Sequence, residues 1–290
     1  MIARKTKPKK NLETLRGAYA DELRVAGPVL KNTKIIEAFA AVPREKFLPP
    51  GPWKLHSTVS WRTPDADPAW VYHNLLLSID ERKDINNGSP SFWAYLFDQL
   101  DIKPGERVLQ VGAGSGYYTA ILAHLVGKRG HVTAIEYDKR LAGIACKNLS
   151  KLSQVEFIQG DASRYDSAHD FDLIVAFTGG THPPPLWLDR LAVGGRLLMP
   201  LVGDGKQGGF MLKVVRRGRE RFQAKALSTV YVYLAKGFWI KKEARNLKSA
   251  IDRLKGKLPK LRALHLGEVP KGRQKDVFYA ARNFWLEHTS

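Results

Sequence analysis

Three closely set glycines, Gly112, Gly114 and Gly116, follow the apolar run Arg107-Val108-Leu109-Gln110-Val111 and precede Tyr117-Tyr118-Thr119-Ala120-Ile121-Leu122. A glycine turn of this kind lets a ligand approach the backbone closely. The dinucleotide fingerprint G-x-G-x-x-G would need glycine at position 117, where the chain carries Tyr117, and the G-K-[ST] of a triphosphate cradle is missing. Glu136 lies 20 residues past Gly116 and ends a second β-rich run, where a carboxylate accepts hydrogen bonds from both ribose hydroxyls. Asp161 ends a third run and suits an adenine amino group. A turn without an anion site, combined with two carboxylates, fits a cationic adenosyl ligand better than a pyrophosphate, and S-adenosylmethionine is such a ligand. The competing reading of the two acids is helix capping.

With that cofactor the electrophile is already activated, so the protein must hold an acceptor in line with the methyl at about 3–3.5 Å and exclude water. A carboxylate acceptor is ionised at neutral pH and needs no base. A nitrogen or hydroxyl acceptor would want one, and the candidates are His182, in Thr181-His182-Pro183-Pro184-Pro185, and more weakly His73.

These residues must be held by alternating elements. RVLQV (107–111), HVTAIEYD (131–138), VEFIQGD (155–161), FDLIVAF (171–177) and GGRLLMPLV (194–202) read as strands, with helical runs after Gly116 and over 141–152. The expected fold class is α/β: a Rossmann-like, doubly wound, mostly parallel sheet. Strands 209–215 and 222–233 are expected to flank a charged hairpin turn at 216–221. Cys146, among Ala142, Ala145 and Leu149, is expected to be a buried small residue.

The 290 residues are 44% hydrophobic and 26% charged, which excludes a disordered or fibrous chain. A single cysteine excludes an internal disulfide or a multi-cysteine zinc site, and no metal centre is expected. The formal charge of +19 is unevenly spread. Residues 1–10 hold five bases and no acid, and 204–275 hold 20 bases against 5 acids, so the remainder is close to neutral. Such ends suit a polyanionic partner or a solvated surface. No apolar run is long enough to span a membrane, and the expected location is cytoplasmic.

VLQVGAGSGYYTAILAHLVG, HVTAIEYD, VEFIQGDA, FDLIVAFTGG and LAVGGRLLMPL resemble successive motifs of the protein-L-isoaspartate O-methyltransferase family of class I methyltransferases. IIEAFAAVPREKFLPP (35–50) resembles its N-terminal helix and Val-Pro-Arg element, and Val230-Tyr231-Val232-Tyr233-Leu234 its last core strand. The resemblance runs from about residue 12 to 237. It implies that Gly112, Gly114 and Gly116 form the methionine-side turn, that Glu136 binds the ribose, and that Asp161 with Ala162 flanks the adenine. Ala113, Ser115, Tyr117 and Tyr137 join these as neighbouring cofactor contacts.

The chain departs from the family between Asn86 and Pro90. Where the family carries Thr-Ile-Ser-Gln/Ala-Pro, with its serine at the acceptor carboxylate, this chain reads Asn86-Asn87-Gly88-Ser89-Pro90. Gly88 stands at the serine position and Ser89 one place later. Tyr72-His73-Asn74 replaces the family's Tyr-x-Asp. Asn87 and Ser89 are expected in a polar turn over the cofactor, with Ser89 and His182 as catalytic candidates.

Four segments are expected: a basic tail (1–10), an N-terminal helical and lid region (11–100), the cofactor-binding core (101–237) and a basic C-terminal extension (238–290). In the lid, Trp53, Trp61 and Trp70, with Trp93 or Phe92, would wall an acceptor pocket or pack the core. In the extension, Lys241 to Lys255 reads as a basic amphipathic helix with Leu247, Ile251 and Leu254 on one stripe. The resulting expectation is methyl transfer to a carboxylate on a peptide or small molecule. RNA or another N/O acceptor, and a cofactor-binding module without transfer chemistry, remain open. No oligomeric state follows from the sequence.

Overall fold

The computed structural model describes residues 11–26, 31–57, 61–204 and 208–289. The basic run 1–10 lies outside the described residues. The chain divides into two compact units, one ending at Asp101 and one from Ile102 onward.

The first unit holds helices α1 (Leu12–Ala26), α2 (Thr33–Ala41) and α3 (Pro90–Leu100), with two small antiparallel pairs. These are β1 (Lys54–Leu55) with β2 (Trp61–Arg62), and β3 (Ser78–Asp80) with β4 (Ile85–Asn86). Asn32 caps α2 by accepting from the Lys34 amide at 3.1 Å. Asp98 of α3 accepts from the amides of Lys31 and Asn32 at 2.7 and 2.8 Å, fixing the entry to α2. Tyr19, Leu23, Ile35, Phe39, Leu96 and Phe97 form the unit's buried centre. Arg44 is fully buried, which a guanidinium tolerates only when hydrogen-bonded. It donates to the carbonyls of Val71 and His73 at 2.8 and 2.7 Å and to that of Leu75, gathering the 71–75 segment around one side chain.

The four tryptophans of the first unit divide. Trp53 and Trp93 are buried, and Trp70 is half-buried with its indole N–H on Asp65 at 2.7 Å. Only Trp61, 61% exposed on β2, presents its ring to solvent. Packing accounts for two of the four, as expected for large apolar rings.

The second unit is built on one ten-stranded sheet in the order β13-β14-β12-β11-β10-β9-β8-β5-β6-β7. Its parallel half is β5 (Arg107–Val111), β6 (His131–Glu136), β7 (Val155–Gln159), β8 (Phe171–Ala176) and β9 (Leu191–Val202). Helices α4 (Tyr117–Val126), α5 (Lys139–Leu149) and α6 (Pro185–Asp189) connect these strands. The winding reverses between β5 and β8, so the crevice beyond their carboxyl ends is where such a sheet takes its ligand. Every residue of α4 except His124 is buried. The other half is antiparallel: β10 (Gly209–Gly218), β11 (Arg221–Val230), β12 (Leu261–Leu266), β13 (Val277–Ala281) and β14 (Phe284–His288).

Three details correct the sequence reading. The β10–β11 hairpin closes through Arg219-Glu220 alone, because Gly218 pairs with Arg221. β11 ends at Val230, not in the 231–234 run: the chain leaves the sheet there, and Leu234 bridges to Gly179 beyond β8. Cys146 is exposed. The buried positions of α5 are Leu141, Ala142, Ala145 and Leu149, and residue 146 lies about 100° further round the helix than 145. Residues 238–290 belong to the second unit. Three of their strands continue the sheet, and helix α7 (Lys241–Asp252) buries Ala244, Leu247 and Ala250, with Leu247 and Ala250 inside the main apolar cluster.

Candidate cofactor site at the first glycine turn

All three turn glycines lie in left-handed backbone, with φ of +79° at Gly112, +59° at Gly114 and +95° at Gly116. A side chain there costs strain, which explains the residue type before any ligand is considered. The amides of Gly112 and Ala113 donate to the carbonyl of Ile135 at 2.9 and 3.2 Å, tying the turn to β6. Gly116 caps α4, and a Cβ on it would lie 3.0 Å from Leu149. The carbonyl of Ser115 accepts from the Asn148 side-chain Nδ2 at 2.9 Å. Asn148 has no motif signature and is identified only by the tertiary fold.

Glu136, at the end of β6, is nearly buried. Its Oε2 accepts from the Gly114 amide at 2.8 Å and its Oε1 from the Asp138 amide at 2.8 Å. Burial pushes its pKa up, partly offset by the Asp138 and Gly114 amides that favour the charged form. An ionised carboxylate has about four acceptor sites. The Gly114 and Asp138 amides each take one oxygen and the Tyr137 amide also favours the charged form, so acceptor capacity remains for a ribose hydroxyl. The carboxylate therefore does two jobs in one place: it holds the glycine turn and remains able to receive a ligand. Tyr137, next in sequence, is 54% exposed and holds the Gln159 side chain through its carbonyl at 3.2 Å.

Asp161 follows β7 and caps a short turn, Oδ1 accepting from the Ser163 amide at 3.0 Å and its hydroxyl at 2.7 Å. The capping reading thus describes part of what Asp161 does; Oδ2 meets Arg164 at 3.7 Å. Gly237, with φ +92°, passes so close that a Cβ would lie 2.4–2.7 Å from Ser163 and the Asp161 oxygens. Ala162 is buried, and its carbonyl accepts the Trp187 indole at 2.9 Å. Tyr117 is buried in an edge contact with Tyr118, whose ring stands 5.2 Å from that of Phe177. A Cβ at Gly112 would lie 3.6 Å from Phe177 and Thr178, so the loop after β8 borders the glycine turn.

His182 lies further along that loop. Its Nδ1 is 2.8 Å from Glu243 Oε2 on α7, which also accepts the Thr181 hydroxyl at 2.8 Å. Burial alone would raise the Glu243 pKa, but the hydrogen bonds from His182 and Thr181 outweigh it and hold the carboxyl below its ordinary value. The Tyr279 hydroxyl donates to the Thr181 carbonyl at 3.0 Å. Glu243 and Tyr279 come from the last fifty residues, and nothing local in the sequence marks them as partners of His182.

The remaining candidates belong to the first unit. His73 is exposed and 3.9 Å from Glu22. Asn87 joins the β3–β4 hairpin: its Oδ1 accepts from the Leu77 amide at 3.0 Å, and its buried Nδ2 has no hydrogen-bond partner. Gly88 has φ +74° and donates its amide to Asn86 at 2.8 Å, a backbone state that disfavours the serine of the family pattern. Ser89 stands at the N-cap of α3 without a side-chain capping bond, its hydroxyl 3.4 Å from that of Ser91. Asn74 grips Ser91 from both sides, accepting its amide at 3.0 Å and donating to its hydroxyl at 2.8 Å.

Among the described residues there is no group of His, Cys, Asp and Glu able to hold a metal ion. None of the described helices is long and apolar enough to cross a membrane.

Comparison with known proteins gives a consistent picture. The family model for protein-L-isoaspartate(D-aspartate) O-methyltransferase matches residues 18–238. A protein-L-isoaspartate O-methyltransferase of Protochlamydia amoebophila is 30% identical over 72% of this chain and 91% of its own length. One of Staphylothermus marinus is 33% identical over 66% of this chain and 81% of its own. Among solved structures, a protein-L-isoaspartate O-methyltransferase aligns over 95% of this chain and 88% of its own, with TM-score 0.64 and 20% identity. A beta-aspartate methyltransferase from Plasmodium falciparum, crystallised with S-adenosyl-L-homocysteine, aligns over 76% of this chain and 98% of its own, with TM-score 0.60 and 18% identity. At those identities the structures speak for the fold.

Proposed function

Since the chain belongs to the protein-L-isoaspartate(D-aspartate) O-methyltransferase family, we propose that it binds S-adenosylmethionine at the first glycine turn and methylates a carboxylate on a peptide. The observation that carries the cofactor reading is the Glu136 carboxylate, bonded to Gly114 within the turn and to Asp138 behind it, with acceptor capacity left over. When bound, the cofactor supplies the electrophilic methyl. Glu136 receives the ribose hydroxyls, and the left-handed glycines allow the backbone to come close to the methionine end. Asp161 Oδ1 is held by Ser163, which orients the carboxylate for the adenine edge. Removal of an acceptor proton is unnecessary for a carboxylate, so Glu243 and His182 are assigned no proton transfer in this reaction.

Ser89 is assigned as a hydrogen-bond donor to that acceptor carboxylate. The left-handed backbone at Gly88 bars a hydroxyl from the family position without strain, whereas the Ser89 hydroxyl is uncommitted to helix capping. The test has two arms. Calorimetry on ligand-stripped protein should register heat with S-adenosylhomocysteine and none with NAD, and the reverse result would overturn the cofactor assignment. With methyl-labelled cofactor and an isoaspartyl peptide, the label should be released as methanol by base. For Ser89→Ala the peptide KM should rise about tenfold, as for one lost hydrogen bond of about 1.4 kcal/mol, with cofactor affinity unaltered. Label that persists through base treatment would refute the carboxylate acceptor.

A further inference from the structure

Helix α7 and the turn after it carry charge that the fold does not use. The buried positions of α7, Ala244, Leu247 and Ala250, fall on one arc, while Lys241, Lys242 and Arg245 project on the exposed side. Beyond the helix, Lys255, Lys257 and Lys260 are also exposed. None of these six takes part in an ion pair among the described residues. The acids that could have neutralised them are engaged elsewhere: Glu243 with His182 and Thr181, and Asp252 with Lys248 at 2.6 Å. The segment also lies past residue 238, where the family match ends.

Three partners would suit a cationic helix: an anionic membrane, an acidic polypeptide and a phosphate backbone. Membrane insertion needs an apolar face, and that of α7 is already buried in the sheet's own cluster through Leu247 and Ala250. A protein partner is normally anchored by exposed aromatic or aliphatic side chains in a desolvated centre. Within 240–260 the exposed large apolar side chains are Ile240 and Leu258, both at the fringe of exposure. What remains is a string of mostly lysine point charges, spread along a helix about 18 Å long and the turn beyond. That distribution matches the uniform charge of a nucleic-acid strand, which binds through phosphate neutralisation without base reading.

We propose that α7 and the 255–260 turn form a sequence-independent binding surface for the phosphate backbone of a nucleic-acid strand, separate from the methyl-transfer chemistry. Each phosphate neutralised releases counterions, so with four to six contacts log Kobs should fall against log salt with a slope of about −3 to −4. Raising salt from 50 to 200 mM should then weaken binding by about 50-fold or more.

The experiment is fluorescence anisotropy of the full chain with an end-labelled 20-nucleotide poly(U), titrated across that salt range. Two variants accompany it, Lys241→Gln/Lys242→Gln/Arg245→Gln and Lys255→Gln/Lys257→Gln/Lys260→Gln. All six side chains are exposed, so both variants should fold and keep wild-type affinity for S-adenosylhomocysteine by calorimetry. Each should lose about two units of salt slope. The proposal is overturned if binding is insensitive to salt, or if both variants keep the full slope, which would assign the binding to other basic residues of the chain. Tighter binding of poly-L-glutamate or phosphatidylserine vesicles than of poly(U) at equal salt would also overturn it. A failure here leaves the cofactor calorimetry untouched, so the two readings stand or fall separately.

Discussion

Substitution of Gly116 by alanine separates backbone strain from packing at the centre of the cofactor site. Gly116 has φ +95°, and a Cβ there would meet Leu149 Cγ, Cδ1 and Cδ2 at 3.0, 3.1 and 3.3 Å. Leu149 is buried, so its side chain has little room to retreat. Gly105 supplies the control: its φ is +87°, yet nothing lies within 4 Å of an added Cβ. Left-handed backbone costs an alanine about 1–2 kcal/mol, and the stiffer unfolded chain returns about 0.4–1 kcal/mol. Gly105→Ala should therefore cost only about 0–1.5 kcal/mol. Gly116→Ala adds overpacking of about 1–3 kcal/mol, and this difference is the quantity to measure. Urea unfolding of both variants at constant m-value gives it directly. Gly116→Ala should also weaken S-adenosylhomocysteine binding, because relief of the contact displaces the start of α4, whereas Gly105→Ala should not. Adding Leu149→Ala should bring the cost of Gly116→Ala down to that of Gly105→Ala. Equal destabilisation by the two glycine substitutions would refute the packing argument.

Other consequences can be checked on the same preparations. Glu243→Gln should cost about 1.5–3 kcal/mol at neutral pH, the value of hydrogen bonds to a charged group. Because the folded pKa of Glu243 is lowered, that stabilisation is present above the unfolded value near 4.5 and lost as pH falls through the folded one. Wild type and variant should thus converge in acid, and a constant gap would contradict the His182 contact. Glu136 behaves oppositely, since its folded pKa is raised. Its contribution is fully present below the unfolded value and lost as pH rises through the folded one, so stability relative to Glu136→Gln should decline from acid toward neutral pH. Trp61→Ala, at an exposed ring, should change stability by less than about 0.5 kcal/mol; any rise in peptide KM would then report direct contact with the acceptor.

Local pattern was enough to place the five parallel strands and the glycine turn, because apolar period and turn chemistry are properties of neighbouring residues. Glu136 was legible for the same reason: it ends a strand at a fixed distance from the turn. The doubling of its role as a ligand of the Gly114 amide was not, since that bond joins residues 22 apart. Cys146 was misplaced because the apolar stripe of α5 is defined by the sheet it faces, and one residue's rotation separates buried from exposed.

Residues 238–290 show the limit most plainly. Their sequence specified an amphipathic helix, and the helix is there. Strands β12, β13 and β14 carry weak local signals, and only pairing with β11 and with one another gives their backbone groups partners. Likewise the sequence set the identities of His182, Glu243 and Tyr279, while the return of the C-terminal chain across the sheet brought them within hydrogen-bond reach. Composition and periodicity are local and were determined by the chain itself. Which distant polar groups satisfy one another depends on how the sheet closes, and that was decided by tertiary structure alone.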